Sequence, residues 1–268
     1  MPELPEVETV VRKLRPKILN KTITHITITD AKVVSKKLLS LIPFKITQIT
    51  RRGKYIFLNT NKSTIMVHLR MTGHFHYLNT PQEINQQNHP SHEYRSALFT
   101  FNDKTALTFN EIRRFGRIEP LTKEQYQDLL KRIGPDPFDI TPNDFTTKIK
   151  SYPKANIKSK LLDQACIAGI GNIYAQEALY HAKILPTKKI QTISKQKLHQ
   201  LHHELLHLLT QAIKKNGTTV SNFKHLDGKG DFAQYLAVYQ KEACPKGHEL
   251  KSKKIAGRGT WYCSTCQK

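Results

Sequence analysis

Apolar or β-branched residues alternate with polar ones through most of the first half of the chain. The alternation runs through residues 22–28, 45–49, 54–58, 63–69, 97–101 and 105–109. A period of two places one face of each segment in a core and the other toward water, so each predicts a half-buried strand. Turns containing Asn, Gly and Pro separate these segments, and the region predicts a β-sandwich of about eight short strands. A short helix over residues 7–14 precedes it, and the polar stretch 80–92 reads as a surface loop. Gly134-Pro135-Asp136-Pro137 interrupts any regular element, and beyond it the spacing turns helical. Helices are expected over 159–168, 173–181 and 195–215, the last capped by Asn216-Gly217. His199, His202, His203 and His207 on that helix are not completed into a metal-ligand set by an acidic or thiol partner and read as a polar face. A Gly- and Lys-rich stretch, 223–232, reads as a mobile loop, and a cysteine-bearing module closes the chain. No internal repeat is present. The result is an α+β multidomain chain, divided at 1–134, 135–233 and 234–268.

Charge narrows the partners. Forty-three Lys and Arg against 21 Asp and Glu leave a formal charge of +22 over 268 residues, spread along the whole chain. A polyanion partner follows, with nucleic acid ahead of a membrane surface. Neither a charged segment leading into an apolar one near the start nor a run of about 18 apolar residues occurs, so a cytosolic protein is expected. Three of the four cysteines fall at 244, 263 and 266, which suits a metal site in a reducing compartment better than disulfides.

Chemistry is concentrated at the start, Met1-Pro2-Glu3-Leu4-Pro5-Glu6-Val7-Glu8. Removing Met1 would leave Pro2 as a secondary amine beside the Glu3 carboxylate. An α-amino group titrates close to neutrality, and such an amine can attack an aldehyde-like carbon to form an iminium. The same residues also read as a helix start, with Pro5 in the first turn and Glu3, Glu6 and Glu8 complementing the dipole. Further on, Gly169-Ile170-Gly171-Asn172 opens onto a helix N-terminus, where backbone N–H groups and the Asn172 amide can meet a phosphate alongside Lys154, Lys158 and Lys160. Arg51-Arg52-Gly53-Lys54 forms a basic hairpin turn. His68-Leu69-Arg70-Met71 and Glu111-Ile112-Arg113-Arg114-Phe115-Gly116 place Met, Arg and Phe as wedges of the kind that fill the gap left by an extruded base. Taken singly, Met71 and Phe115 read as core residues at strand ends. The C-terminal Cys244, His248, Cys263 and Cys266 form two knuckles around a hairpin-length spacer, a zinc-ribbon-like pattern in which His248 stands where a second cysteine is expected. The alternative is a metal-free hairpin packed around Ile255, Trp261 and Tyr262.

The start from Pro2 to Val10, the stretch from Leu161-Leu162-Asp163-Gln164 through Gly169-Ile170-Gly171-Asn172-Ile173-Tyr174, and Gly257-Arg258-Gly259-Thr260 together resemble the bacterial formamidopyrimidine-DNA glycosylases. The resemblance covers essentially the whole chain. Leu4 stands where the related endonuclease VIII group typically has Gly, which favours the purine-lesion branch.

The resemblance implies an N-terminal β-sandwich with its opening helix, a helix-two-turn-helix domain and a zinc finger, working on damaged double-stranded DNA as a monomer near the nucleoid. The lesions it implies are 8-oxoguanine and formamidopyrimidines opposite cytosine. It assigns Pro2 as the nucleophile at the sugar C1′ and Glu3 as acid/base on the sugar. Lys54 is implied as a phosphate-binding, proton-donating lysine. Asn172 and Arg258 are implied at the backbone phosphates, with Arg258 assisting elimination. Met71, Arg113 and Phe115 are implied as void fillers, Arg113 facing the orphaned cytosine. His68, Arg114, Lys154 and Lys158 complete the expected DNA contacts, and His92 is carried over from a region, 89–95, that aligns poorly. The loop 218–232 matches the segment that caps the everted base. A different class of function, a DNA-binding descendant that grips abasic sites without cutting them, shares all these features except chemistry.

Overall fold

A computed structural model describes residues 1–80, 83, 90–218 and 230–268. Most of the loops expected over 80–92 and 223–232, and of the base-capping segment 218–232, lie outside these residues. The chain packs as two compact units: residues 1–131 with 216–231, and residues 132–215 with 232–268.

The first unit begins with α1, Leu4–Ile18. Val7, Val10, Val11, Leu14 and Ile18 recur at helical spacing and are all buried, which explains why the helix continues past the predicted Leu14 to bury Ile18 despite Pro16. Eight antiparallel strands follow: β1 Thr22–Ile28, β2 Phe44–Arg52, β3 Tyr55–Thr60, β4 Thr64–His68, β5 His74–Leu78, β6 Arg95–Phe101, β7 Ala106–Asn110 and β8 Arg117–Leu121. They pair in the order β5-β7-β6-β1-β2-β3-β4-β8. β1 and β2 meet only at Thr22–Lys45 and Ile23–Phe44, so the sheet is weakly joined there. Its two halves and α1 share one apolar cluster that includes Ile26, Phe99 and Phe109 from one half and Ile49, Ile56 and Val67 from the other. β5 and β8 were not individually evident in the sequence. β5 carries His74, His76 and Tyr77, which blur the alternation, and β8 contains Pro120, tolerated because β8 is an edge strand. Helix α2, Lys123–Arg132, follows β8 and was also not anticipated.

The second unit is helical: α3 Pro142–Lys150, α4 Ile157–Leu162, α5 Asn172–His181 and α6 Lys195–Lys214. Side-chain caps start three of them, from Thr141, Asn156 and Ser194. The helix expected over 159–168 stops at Leu162. Beyond it Gln164 knots the turn, its amide donating to the carbonyls of Leu162 and Ile170 and its carbonyl oxygen accepting from Gly169 N–H at 2.9 Å. Buried Cys166, Ile167 and Ala168 therefore belong to that turn, and α3 was missed altogether. α5 is buried along Ile173–Leu179, so its polar residues need internal partners. The polar-face reading of α6 needs one correction: His202 is buried, its Nε2 3.2 Å from the Pro137 carbonyl and its ring tilted on Phe145, whereas His203 and His207 are exposed. A hairpin, β9 Lys251–Ile255 and β10 Arg258–Tyr262, turns through Ala256-Gly257, both in the left-handed region as a two-residue turn of this twist requires. No helix among the described residues is long and apolar enough to cross a membrane.

Candidate functional site

The candidate residues fall in both units. In the first, Pro2 is buried and Glu3 is the residue that enters α1. Glu6, one turn on, accepts the Glu3 backbone N–H at 2.7 Å with Oε2 and the Thr218 N–H at 2.7 Å with Oε1. One buried carboxylate therefore ties the N-terminal turn to the strand-like segment at 217–218. Gly217 is needed there. Its φ is +79°, and a Cβ would come within 2.8 Å of Glu6 Oε1. The sequence suggested only a dipole role for Glu6, because its second partner lies 212 positions away.

Lys54 sits at the tip of the β2–β3 hairpin after Gly53, whose φ is 56°. Arg51 fixes that tip: its guanidinium donates to the Gly53 carbonyl and, at 2.9 Å, to Glu8 on α1, whose carboxyl the two arginines Arg12 and Arg51 hold below the usual range against burial. Lys54 is itself almost fully buried. Opposite Tyr55 in the β3–β4 register lies His68, its ring edge-on to Tyr55 with centroids 4.6 Å apart. His68 Nδ1 accepts the Arg70 N–H at 3.0 Å, and burial, followed by the charges of Arg70 and Lys54, pushes its pKa down to about 3. The imidazole is neutral, and Lys54 and His68 are electrostatic neighbours.

Met71, Arg113 and Phe115 come together on the surface. Arg113 Nη1 lies 3.1 Å from the Met71 sulfur, and its guanidinium carbon lies 5.3 Å from the Phe115 ring centroid. Phe115 is 49% exposed and Met71 half-buried, so the reading of these two as core residues fails. Neighbouring Arg114, expected at DNA, is engaged in a two-point ion pair with Asp30 at 2.6 and 3.0 Å. His92 ends a short 3₁₀ turn, Pro90–His92, and is half-buried.

In the second unit, Asn172 opens α5 after Gly171. Its amide donates to the Gly259 carbonyl at 3.1 Å, and its Oδ1 accepts from Lys158 at 2.7 Å. Lys158 corrects an expectation. It is 0% exposed and also donates to Thr260 Oγ1 at 2.5 Å, so it ties α4, α5 and β10 together and cannot reach a phosphate directly. Lys154 is exposed in the turn before α4. Lys160 pairs with Asp163 at 2.9 Å and lies 3.7 Å from the Tyr152 ring centroid. Arg258 is exposed next to the hairpin tip.

Two further α5 side chains hold this surface. Gln176 accepts the Trp261 N–H at 2.6 Å and donates to Gly259. Glu177, fully buried, accepts the N–H groups of Ala237, Val238 and Tyr239 at 2.6, 3.0 and 2.8 Å, while burial pushes its carboxyl above the ordinary range. Neither had a local sequence signal, since both partners are distant in the chain.

Cys244, His248, Cys263 and Cys266 offer ligand atoms that all lie within 4.8 Å of one another. The three sulfurs stand 3.5, 3.7 and 3.3 Å from His248 Nδ1. Tetrahedral bonds of about 2.3 Å to sulfur and 2.0 Å to nitrogen would put S and N about 3.5 Å apart, so the set fits a four-coordinate metal ion.

Comparison with known proteins agrees along the whole chain. The profile of the formamidopyrimidine-DNA glycosylase N-terminal domain matches residues 1–118, and that of the formamidopyrimidine-DNA glycosylase H2TH domain matches residues 133–224. Formamidopyrimidine-DNA glycosylases of Dichelobacter nodosus and an Exiguobacterium species are 38% and 35% identical, with 100% of this chain and 100% and 99% of the relatives aligned. A Lactococcus lactis FPG mutant solved with a Fapy-dG containing DNA superposes with a TM-score of 0.88 at 33% identity, over 100% of both chains. The MutM (FPG) protein of Thermus thermophilus gives 0.85 at 33% identity, over 99% of this chain and 98% of that one. With relatives this similar aligned from end to end, the chain belongs to the formamidopyrimidine-DNA glycosylase family.

Proposed function

We propose that this protein is a base-excision repair enzyme that removes oxidised purines, 8-oxoguanine and formamidopyrimidines, from duplex DNA and then cuts the strand at the abasic site. The observation that carries the reading is the Pro2-Glu3 start. It is buried at the head of α1 and tied by Glu6 in a chain that aligns end to end with formamidopyrimidine-DNA glycosylases.

Removal of Met1 converts the Pro2 amide nitrogen into a secondary amine. That nitrogen attacks C1′ of the damaged nucleotide as the C1′–N bond breaks; the base departs with the bonding pair and takes up the proton that the alkylated amine gives up, which restores the nitrogen lone pair. Glu3 delivers a proton to the sugar ring oxygen, the ring opens, and the nitrogen lone pair forms the iminium. The iminium acidifies the C2′ proton. Its loss expels the 3′ phosphate by β-elimination, and δ-elimination then expels the 5′ phosphate. One amine serves both activities, and no redox cofactor is required.

Lys54, with a neutral His68 beside it, supplies charge and a proton near the lesion. Asn172 and Arg258 hold phosphates around the extruded nucleotide, with Lys154 adding a further contact. Lys158 acts indirectly, by orienting Asn172. Flipping costs a few kcal/mol of unstacking, offset by the exposed Met71, Arg113 and Phe115, with Arg113 facing the orphaned base. His92 is proposed at the DNA backbone, while Arg114 would need to exchange Asp30 for phosphate. Cys244, His248, Cys263 and Cys266 would hold one structural Zn²⁺, which stabilises the hairpin carrying Arg258 when bound. The division into a catalytic region 1–134, a helical region 135–233 and a finger 234–268, action as a monomer, and a cytoplasmic, nucleoid-associated location belong to the same proposal.

The test is borohydride trapping. Met1-free protein mixed with a duplex carrying 8-oxoguanine opposite cytosine should form a covalent complex, and Pro2→Gly should weaken or abolish it. Binding to an abasic-site analogue with steep salt dependence, but with neither trapping nor cleavage, would instead establish the non-catalytic reading.

A further inference from the structure

The surface group Met71, Arg113 and Phe115 is carried by two separate turns, and a buried polar contact joins them. Glu111, almost fully buried, accepts a hydrogen bond from the Thr72 hydroxyl with Oε1, and the same oxygen accepts the Arg113 N–H at 3.1 Å. Its other oxygen accepts the Gly116 N–H at 2.8 Å. The Thr72 hydroxyl in turn lies 3.2 Å from the Arg113 N–H. One carboxylate thus closes the turn 112–116 on itself and fastens it to the residue next to Met71.

The surroundings leave little slack. The turn carrying Met71 and Thr72 is closed by the Gly73 N–H bonding to the Leu69 carbonyl at 3.0 Å, and the Thr72 carbonyl is 2.8 Å from His74 Nδ1. A Cβ on Gly116 would lie 2.8 Å from Glu111 Oε2 and 3.1 Å from the Phe109 ring, and one on Gly73 would lie 2.5 Å from the Leu69 carbonyl oxygen. Arg70, Tyr94 and Arg114 are all held in the left-handed region although none is glycine, with φ of 54°, 53° and 56°. The Tyr94 carbonyl accepts the Glu111 N–H at 3.0 Å. Strained backbone at several positions around one surface group persists where the surroundings over-determine it, and it clusters where geometry matters for function.

We propose that Thr72 and Glu111 are positioning residues that set opposite-base selectivity, by holding Arg113 and Met71 at a fixed separation before DNA arrives. The inference rests on the reading of Arg113 as the residue that faces the orphaned base. A guanidinium on a loose turn could follow a wrong base. One whose main chain is pinned on both sides of the turn makes its bidentate contacts only where the acceptors match its fork. The cost of adapting then falls on the mismatched pair.

The test is the ratio of single-turnover excision rates for 8-oxoguanine opposite cytosine and opposite adenine, measured with the Met1-free full chain. Thr72→Val keeps the side-chain shape and removes the hydroxyl. It should lower the ratio at least fivefold, and Thr72→Ser should restore it to within about twofold. Should Thr72→Val not accumulate as folded protein, Glu111→Gln, which preserves volume, reports on the same ratio with the same expected fall. A merely structural role would slow both rates together and leave the ratio unchanged, which would overturn the proposal, as would an equal loss of selectivity in Thr72→Ser. Arg113→Ala separates this inference from the reading beneath it. If Arg113→Ala lowers the ratio and Thr72→Val does not, the positioning role alone fails. If Arg113→Ala leaves the ratio intact, the base-facing role of Arg113 fails.

Discussion

Replacing Glu6 with glutamine probes the tie between the nucleophile's turn and the segment at 217–218. Each carboxylate oxygen of Glu6 accepts one backbone N–H at 2.7 Å, from Glu3 and from Thr218. An amide of the same shape has one acceptor oxygen, so one of these two donors must face an NH₂ group. Leaving a buried donor unsatisfied costs ~1–3 kcal/mol. Because about 1.4 kcal/mol is tenfold in rate, the full cost falling on the reactive arrangement slows excision ~5- to 150-fold. Relief of the buried charge offsets part of that cost, so a slowing of about tenfold is expected, near the lower end of this span. Single-turnover excision of 8-oxoguanine, followed by quench and gel, reads the effect directly. Gly217→Ala approaches the same contact from the other side, since its Cβ would press on Oε1 at 2.8 Å from a backbone at φ +79°. It should slow excision as well. A folded Glu6→Gln protein within twofold of wild type, together with a harmless Gly217→Ala, would show that the Glu6 tie does not govern the reactive turn.

Other outcomes follow from the same geometry. His68, with its pKa pushed down to about 3, should show imidazole shifts that are flat from about pH 8 to pH 5 by NMR. Since the unfolded chain takes up that proton in the ordinary histidine range and the folded one does not, His68 should cost stability only as pH falls below that range toward 3; a midpoint between about 6 and 7 would contradict the buried, neutral ring. Purified protein should carry close to one equivalent of zinc, and chelation should loosen the 244–266 module; less than about half an equivalent counts against the Cys3His site. Glu177→Gln removes an acceptor from a set of three N–H groups, and with partial relief of burial it should cost ~1–2 kcal/mol, several degrees in Tm. An unchanged or higher Tm would contradict that role.

What the sequence reveals and what it hides divide along a physical line. Local features are legible: the alternation that builds β1, β2 and β6, the Pro2-Glu3 start, the Gly171–Asn172 helix opening, and the Cys and His spacing that the fold gathers into one cluster. Partners far apart in the chain are not. Glu6 with Thr218, Glu111 with Thr72, and Glu177 with residues 237–239 each look like solvated charges until folding encloses them. Lys158 misleads for the same reason, because a lysine beside two others suggests a phosphate contact while this one is enclosed by Asn172 and Thr260. Met71 and Phe115 mislead in the opposite direction. Their apolar side chains imply core positions, yet Met71 lies in the turn just past β4 and Phe115 in the turn leading into β8, both reaching the surface.

The most direct measurement is peptide mapping by mass spectrometry of the borohydride-reduced complex formed between the protein and a lesion-bearing duplex. The expected product is a peptide that begins at Pro2, lacks Met1 and carries the deoxyribose remnant on the proline nitrogen. A remnant on a lysine side chain, or strand cleavage by protein that still retains Met1, would contradict it.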